Sequence, residues 1–555
     1  PVTLYDKTIG RVTGWFDRVQ DDMADAYQGA LRWSLKHKLA TMVMALAVFA
    51  SSLAMLPLLG TEFVPKADFS ETQVSFHTPV GSSLEATEAK TRQVEAVLRE
   101  FPEVKYTLST INTGNAQGKM YANVYVRLVD RKDRTVNADA MAAKLRERLR
   151  SVSGITVTHA GLLDPVGGNK QIEFSLQGDD LNELARLNAL VLEKIRGIPG
   201  LVDLDSSLKP DKPTVDVVLR RDIASDAGLN AAAVASSLRT LVAGQTVGNW
   251  RAADGESYDV NVRLAPEQRE RTADLAALPF IVGNGAGANA DGSARVVRLG
   301  QVANVVEGTG PNQINRRNLN REVAISANVF GRSAGEVSGE IKQVLDTIAL
   351  PPGYRAEFGG STKNMQESFG YAVSALAMAV IFIYMILASQ FQSFLQPLAL
   401  MTSLPLTLIG MALALLMFGS TMSMFSVIGV VLLMGLATKN AILLVDFAIR
   451  ARQGLDGSEP LDRESALLLA AKVRLRPILM TTLAMVFGMV PLAFALTEGS
   501  EQRAPMGQAV IGGVITSSIL TLVVVPVVYC FMDDLARWFK RLIGHRDSSP
   551  TTPAR

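Results

Sequence analysis

The sequence predicts an α-helical membrane bundle joined to a large α+β portion. Six apolar stretches are each long enough to cross a hydrocarbon core of about 30 Å. Five of the six contain no Asp, Glu, Lys or Arg. Between the first and second stretches, residues 62–366 alternate strand patterns with amphipathic helix patterns. With 48% hydrophobic and 19% charged residues, the chain is too apolar for an ordinary soluble protein and too charged for one wholly inside a membrane.

The apolar stretches indicate six membrane helices and their orientation. They cover residues 39–59, 371–388, 397–419, 425–449, 477–496 and 508–532. Basic residues are concentrated before the first stretch, between the fourth and fifth, and after the sixth, whereas the alternate loops hold only Arg503. By the positive-inside rule, both ends of the chain are expected to be cytoplasmic, with the 62–366 block on the opposite side of the membrane.

The 62–366 block is expected to contain two split βαβ units. The first has the order β-α-β-β-α-β, over residues 73–76, 84–98, 104–111, 121–128, 138–149 and 155–159. The second begins with a strand and a helix, and is completed only after an interruption, over residues 171–176, 181–195, 323–329, 334–348 and 354–358. The insertion at about 222–306 includes the Gly- and Asn-rich stretch 283–292, which is typical of an exposed loop.

Several residue patterns exclude classes of function. Cys530 is the single cysteine, so a disulfide framework is excluded. The four histidines are scattered and never have zinc-ligand spacing. No basic cluster is interleaved with aromatic residues, as nucleic-acid binding would require, and no phosphate-binding glycine loop or nucleophile elbow indicates an enzyme. Because the first residue is Pro1 rather than Met, we expect the chain to be part of a longer protein.

Lys439 lies near the centre of the fourth apolar stretch. A lysine at the middle of a membrane helix costs roughly 2.5–3.5 kcal/mol on insertion scales. A buried ammonium needs an acidic partner. Asp446 is about 10 Å further along the helix axis, beyond direct contact. We therefore expect the partner of Lys439 to come from outside these six helices; the alternative is that the ammonium extends to a lipid headgroup.

Two long motifs carry a family resemblance. They are GLATKNAIL at 435–443 and RLRPILMTT at 474–482, with the shorter FGGS at 358–361 just before the second apolar stretch. In these motifs and their order, the chain resembles the resistance–nodulation–division (RND) transporters. It is similar to the carboxy-terminal half of a hydrophobe/amphiphile efflux pump, and the likeness covers essentially all 555 residues.

The resemblance implies a division of the chain into named parts. Residues 1–38 would be a cytoplasmic connector with an amphipathic helix, 39–59 the first transmembrane helix, and 62–165 the first porter subdomain. The second porter subdomain would comprise 166–221 and 307–362, with a docking subdomain at 222–306. Five transmembrane helices would follow within 371–532, and then a cytoplasmic tail at 533–555.

The resemblance also implies how protons are used. Lys439 would be the switching cation, Thr481 a hydroxyl relay and Arg474 a gate on the cytoplasmic side, with Asn440 and Asp446 as weaker candidates. The partners of Lys439 would be aspartates on the missing amino-terminal half. Simpler interpretations remain open, because Thr481 could bond a carbonyl of its own helix and Arg474 could anchor the helix to the membrane surface. No cofactor, catalytic residue or metal is implied, only a proton gradient.

A substrate pathway is expected along the first porter subdomain. The polar loop NTGNAQG at 112–118 is similar in position to a flexible loop between the drug pockets of the family. Its residues Asn112, Gly114 and Gly118, with Met120, Tyr121 and Tyr125 beyond it, are the candidates; an ordinary hairpin loop is the alternative. The segment DPVGGNK at 164–170 is a similar candidate at an entrance between the two units.

The implied whole is a homotrimeric inner-membrane proton antiporter. It would export amphiphilic drugs through a periplasmic adaptor protein and an outer-membrane channel. A heavy-metal exporter of the same superfamily is the nearest alternative, although soft thioether ligands are scarce in the 62–366 block. A lipid or hopanoid exporter is another. A receptor or assembly scaffold is disfavoured because it should lack a lysine at mid-membrane.

Overall fold

The computed structural model describes residues 22–112, 118–162, 170–282, 295–454 and 459–542. The chain forms two compact units. One comprises Pro1–Thr78, Leu84–Ser207 and Arg316–Arg555, and the other comprises Pro79–Ser83 and Leu208–Asn315.

The described chain begins with two helices in tandem. Residues 22–36 form α1, which ends just before the first membrane-spanning helix. That helix, α2, covers Lys38–Met55 and continues as a 3₁₀ turn over Leu56–Leu58.

The first α+β segment follows α2. Its elements are β1 (Glu71–His77), α3 (Leu84–Leu98), β2 (Val104–Ile111), β3 (Tyr121–Leu128), α4 (Ala138–Leu149) and β4 (Thr156–Gly161). The strands form an antiparallel sheet in the order β2-β3-β1-β4. Alternate residues of β1 and β3 are buried, as expected for a sheet with one face against helices. Phe76, Leu128 and Met141 lie in the resulting core.

The second α+β segment starts in the same way. Its first elements are β5 (Ile172–Gly178), α5 (Leu181–Ile195) and β6 (Leu201–Ser206). The side chain of Asp180 accepts a hydrogen bond from the backbone N–H of Asn182 and so caps α5.

The inserted unit separates β6 from the rest of this segment. Its elements are β7 (Lys212–Leu219), α6 (Arg221–Asp226), α7 (Ala231–Leu238), β8 (Gln245–Arg251), β9 (Ser257–Val262), α8 (Thr272–Ala276), β10 (Pro279–Val282), β11 (Arg295–Arg298), α9 (Leu299–Val302) and β12 (Ala303–Gly310). β7 and β12 pair along all their residues, from Lys212 opposite Gly310 to Leu219 opposite Ala303. The unit is therefore wider than the 222–306 expected from the sequence, because β7 precedes that range and β12 extends beyond it. The expected loop at 283–292 lies outside the described residues.

The second α+β segment is completed after the insertion. Its last elements are β13 (Asn315–Arg317), β14 (Asn320–Val329), α10 (Ala334–Asp346) and β15 (Arg355–Gly359). β13, β14, β5 and β15 form one sheet, in which β6 pairs with β14. The path β6-β14-β5-β15 thus repeats the order of the first sheet.

The remaining helices form a membrane bundle with α2. They are α11 (Gly360–Phe391), α12 (Gln396–Met401), α13 (Ser403–Phe418), α14 (Met424–Gln453), α15 (Arg463–Ala493) and α16 (Ala504–Leu542), with α12 and α13 together forming one span. Six helical segments of the described chain are long and apolar enough to cross a membrane, and all six coincide with expected stretches. Several extend further than expected because the polar turns that flank the apolar residues are also helical. The predicted fold class, a helical membrane bundle with an α+β portion, is confirmed.

α16 is the central helix of the bundle and packs against α12, α13, α14 and α15. It approaches α13 closely where Gly512 faces Gly410, since a Cβ on either glycine would collide with the backbone oxygen of the other. Small residues at such contacts let helix backbones approach in the membrane. This close packing positions the polar side chains that α16 shares with α14 and α15.

Candidate functional site

Lys439 is the sixteenth of the thirty residues of α14 and lies on an exposed face of that helix. Ile428, Leu432 and Gly435 are exposed on the same side, at the spacing of three to four residues that places them in one stripe. Among the described residues, no hydrogen bond or ion pair engages the Lys439 ammonium. The stripe is therefore an apolar surface that ends, near the middle of the helix, in one unneutralised cation.

Asn440 follows Lys439 in α14, about 100° further around the helix, and its side chain is buried. Its Nδ2 donates to the Ser518 hydroxyl of α16 at 3.2 Å. Ser518 in turn shares a 3.0 Å hydrogen bond with the Thr482 hydroxyl of α15. All three side chains are buried, and the Asn440 Oδ1 atom has no hydrogen-bond partner in the described part of the chain. A polar cluster that includes Asn440, the neighbour of Lys439 in the sequence, thus joins three membrane helices.

Ser518 and Thr482 were not among the residues expected from the sequence. Thr482 stands beside the predicted Thr481 in the motif at 474–482, and Ser518 follows Ser517 within an apolar run. Two adjacent hydroxyl residues in an otherwise apolar stretch were the available signal. The sequence alone does not show which of them faces α14.

Thr481 has a local partner in this structure. Its hydroxyl donates to the backbone carbonyl of Ile478 at 3.0 Å, one turn earlier in α15. This is the intrahelical bond that the sequence left open as the simpler interpretation. The side chain is partly exposed, so the structure does not bring Thr481 into the Asn440–Ser518–Thr482 cluster. Its predicted relay role stays a prediction.

Arg474 and Asp446 lie towards the cytoplasmic end expected for the bundle. The Arg474 guanidinium sits 5.1 Å from the centre of the Phe447 ring, so a cation–π contact joins α15 to α14. Its buried Nε atom has no hydrogen-bond partner among the described residues. Asp446 forms a 3.1 Å ion pair with Arg450 on its own helix, and no such pair joins it to Lys439.

The candidate substrate-pathway residues lie at the end of the β2–β3 hairpin. Asn112 accepts a 2.8 Å hydrogen bond from the Gly118 N–H through its side chain, and its own N–H donates to Tyr121. Gly118 has φ +111°, a conformation that favours glycine.

Met120 is buried, whereas Tyr125 is partly exposed and its hydroxyl donates to Glu71 at 2.7 Å. Gly114 and most of the 112–118 loop lie outside the described residues, as does 164–169.

A buried ionic network joins the two α+β segments and was missed by the sequence reasoning. Asp203 accepts hydrogen bonds from the Arg146 guanidinium at 2.6 and 2.9 Å and from Asn328 Nδ2 at 2.8 Å. Asn328 Nδ2 also lies 2.8 Å from His159 Nδ1, and the Lys170 ammonium donates to the Asp203 carbonyl at 2.9 Å. These residues come from both segments, which no local pattern in the sequence could bring together.

The network fixes the charges of its members. Burial alone would raise the pKa of Asp203, but its bonds to Arg146 and Asn328 hold that pKa below its usual value. Burial lowers the pKa of His159 to about 4, so the imidazole is neutral at physiological pH. Arg146 and His159 also line a cavity of about 80 Å³ beside Glu62, Lys66 and Asp139.

A model of the AcrB/AcrD/AcrF family matches residues 5–533 of the chain. The chain belongs to the AcrB/AcrD/AcrF family. The resemblance to RND transporters that the motifs at 435–443 and 474–482 indicated is thereby confirmed.

Relatives of this family member are named multidrug resistance proteins. The chain is 29% identical over 533 residues to MdtC of Klebsiella pneumoniae, an alignment that covers 95% of this chain and 50% of that protein. It is 28% identical to MdtC of Escherichia coli, with the same coverage. The chain therefore spans about half the length of the curated relatives it matches.

Solved structures share the fold. Two crystal forms of a heavy metal efflux pump superpose with TM-scores of 0.78 and 0.79 at 24% identity. The match covers 92% and 93% of this chain and 52% of the pump. At this identity, the likeness is evidence for the architecture and not for what is transported.

Proposed function

We propose that the chain is the carboxy-terminal half of a proton-driven antiporter that exports amphiphilic drugs or other hydrophobic compounds. The observation that carries this proposal is Lys439, a cation at the middle of a membrane helix on a face that the described chain leaves uncovered. An uncompensated ammonium in hydrocarbon is costly. A second half of the protein that packs on this stripe and supplies carboxylates would remove that cost.

Such a pairing provides a switch. When the carboxylates are ionised, they attract the Lys439 ammonium strongly, because Coulomb energies are large at low dielectric. When they take up protons, the attraction is lost and Lys439 is released. Two helix arrangements then alternate with proton binding. Thr481 and Arg474 would serve as relay and cytoplasmic gate, with Asn440 and Asp446 in supporting roles.

The family relationship supports the rest of the assembly. The proposed transporter is a homotrimer of the inner membrane that works with a periplasmic adaptor protein and an outer-membrane channel. The two α+β segments would be porter subdomains of split βαβ type, which the matching strand orders of their sheets support. Drug export is proposed ahead of metal or lipid export because the relatives matched over 533 residues are named multidrug resistance proteins.

The decisive experiment replaces Lys439 by methionine in the full-length protein, reconstituted in proteoliposomes with an imposed pH gradient. Lys439→Met keeps most of the side-chain length and removes the charge, so it removes a cost of roughly 2.5–3.5 kcal/mol and insertion should not suffer. Carboxylates without their cation would stay protonated because an unpaired buried charge is unfavourable. We expect a correctly assembled protein that has lost export of every substrate alike.

Three outcomes bear on the proposal. Lys439→Arg should also lose most activity, since the guanidinium changes both reach and donor geometry. Undiminished proton-driven export by Lys439→Met would show that the lysine is structural and that energy is coupled elsewhere. Export of a metal ion or lipid in place of drugs by the unaltered protein would retain the coupling and change the substrate class.

A further inference from the structure

Pro526 interrupts the hydrogen-bond ladder of α16 within a membrane-spanning helix. Because proline has no N–H, the carbonyl of Leu522, four residues earlier, loses its helical donor, and the ring pushes that carbonyl aside. In hydrocarbon an unpaired backbone carbonyl costs several kcal/mol. Prolines are tolerated in membrane helices where a neighbouring group supplies the missing partner.

Tyr27 supplies that partner. Its hydroxyl donates to the Leu522 carbonyl at 2.8 Å, although the two residues are 495 positions apart in the chain. Burial raises the pKa of the Tyr27 phenol above its usual value, so the hydroxyl remains a neutral donor. The bond therefore fills the gap that Pro526 creates.

The helix that carries Tyr27, α1, packs on α14, α15 and α16. Ala24, Tyr27, Leu31 and Leu35 form an apolar stripe along α1, at spacings of three and four residues. Ala24 and Tyr27 share one core cluster with residues of α14, α15 and α16, namely Leu444, Leu475, Ile478 and Leu522. α1 is thus held against all three helices that form the Asn440–Ser518–Thr482 cluster.

Because a proline inside a helix favours a bend, the position of Pro526 in α16 bears on that cluster. Ser518 lies one helical turn before Leu522, on the part of α16 that precedes Pro526. α1 contacts Leu522 directly, and Leu31 and Leu35 share a second core cluster with residues 524–530 around the proline. α1 therefore contacts α16 on both sides of Pro526, so a change in the angle between these two parts would move Ser518 relative to Asn440.

We propose that Tyr27 is a positioning residue whose hydroxyl replaces the donor that Pro526 removes, fixes the bend of α16 and so presents Ser518 to Asn440 beside Lys439. The contact is structural in itself, and its effect on transport rests on the proposed function. Through this bond, α1 of the cytoplasmic connector would set the geometry of the Asn440–Ser518–Thr482 cluster.

The test is a double-mutant cycle in the full-length protein. Tyr27→Phe removes only the hydroxyl, and Pro526→Ala returns a backbone N–H that can bond Leu522 within the helix. We expect Tyr27→Phe to speed amide hydrogen exchange in residues 518–530 and to lower turnover by about threefold to tenfold. The KM should not change, because Tyr27 lies in the cytoplasmic connector. In the Pro526→Ala background the same substitution should have little effect on either measurement.

A matched control is Tyr384→Phe. The Tyr384 hydroxyl also donates to a backbone carbonyl, that of Phe394 at 3.2 Å, but at an exposed position with no helical proline gap. This variant should leave exchange in α16 and turnover unchanged.

The outcomes separate this inference from the proposed function. Equal effects of Tyr27→Phe with and without Pro526 would show that the Tyr27 hydroxyl does not replace the donor that Pro526 removes. This outcome does not depend on the role of Lys439. Faster exchange with unaltered turnover would overturn the positioning role. Full activity of the Lys439→Met variant would overturn proton coupling through that lysine. The hydrogen-exchange measurements of the double-mutant cycle would still decide whether Tyr27 bonds the carbonyl that Pro526 leaves without a donor.

Discussion

Single residues in this protein are held by partners that are remote in the sequence. Asp203 is bonded by Arg146 and Asn328, and Asn440 by Ser518. In each case a buried polar group would be costly alone, so its partner is part of what stabilises the fold. A change in the charge of Asp203 or Arg146 would leave the other one buried without its counter-charge, which is costly.

His159 should make the stability of the α+β segments depend on pH. Burial lowers its pKa from 6.5 to about 4, so the folded state favours the neutral imidazole. The neutral His159 side chain therefore contributes to the free energy of unfolding. This contribution is fully present above pH 6.5, is lost as the pH falls towards 4, and amounts to about 3 kcal/mol. Thermal unfolding of the detergent-solubilised protein between these pH values should show the loss.

The matched comparison is between His159→Gln and His37→Gln. Glutamine at position 159 cannot gain the proton, so stability should fall less steeply with acid in that variant. His37 is exposed, and replacing it should leave the slope as in the unaltered protein. Parallel curves for all three proteins would show that His159 does not govern the acid sensitivity.

At the scale of elements, the α13–α16 contact depends on the absence of side chains. Gly410 and Gly512 leave no room for a Cβ between the two backbones. α16 in turn carries Ser518, and a shift of this helix would move the hydroxyl away from Asn440. The packing of one helix pair is therefore linked to the polar cluster two turns away.

Gly512→Leu should force α13 and α16 apart and destabilise the bundle by about 1–3 kcal/mol. The expected readout is a lower thermal unfolding midpoint together with a smaller fraction of correctly assembled protein. Gly370→Leu on α11 is the matched control, since a Cβ at Gly370 would meet no other atom. Equal midpoints for the two variants would contradict a close contact between α13 and α16.

At the scale of the whole molecule, the distribution of basic residues predicts the orientation in the membrane. Ser257 is exposed in the inserted unit and Glu459 is exposed in the loop before α15. Cys530 is the single cysteine of this chain, so Cys530→Ser removes the thiol from this part of the protein. Ser257→Cys and Glu459→Cys then report opposite sides of the membrane.

An impermeant thiol reagent should label Ser257→Cys in intact spheroplasts and Glu459→Cys only after the membrane is opened. The reason is that basic loops remain cytoplasmic, whereas a long domain is translocated largely regardless of its charge. The reverse labelling pattern would overturn the orientation and place the α+β segments in the cytoplasm.

The sequence by itself determined the elements of this protein. The helices α3 and α5 and the strands β2 and β3 have the predicted bounds, because alternation and helical periodicity are local properties of a chain. The six membrane spans could also be predicted, since the length of an apolar stretch is read directly from the sequence. Lys439 stood out for the same reason, as a charge where the surroundings contain none.

Only the tertiary structure decided which side chains meet. It placed Ser518 and Thr482 with Asn440, where sequence reasoning had favoured Thr481. It also widened the inserted unit to include β7 and β12, because their pairing joins residues about ninety positions apart. These contacts depend on how the helices and strands pack and on the hydrogen bonds that buried polar atoms require. Neither produces a periodic pattern in the sequence. For the same reason the bond from Tyr27 to Leu522 was invisible before the helices were assembled.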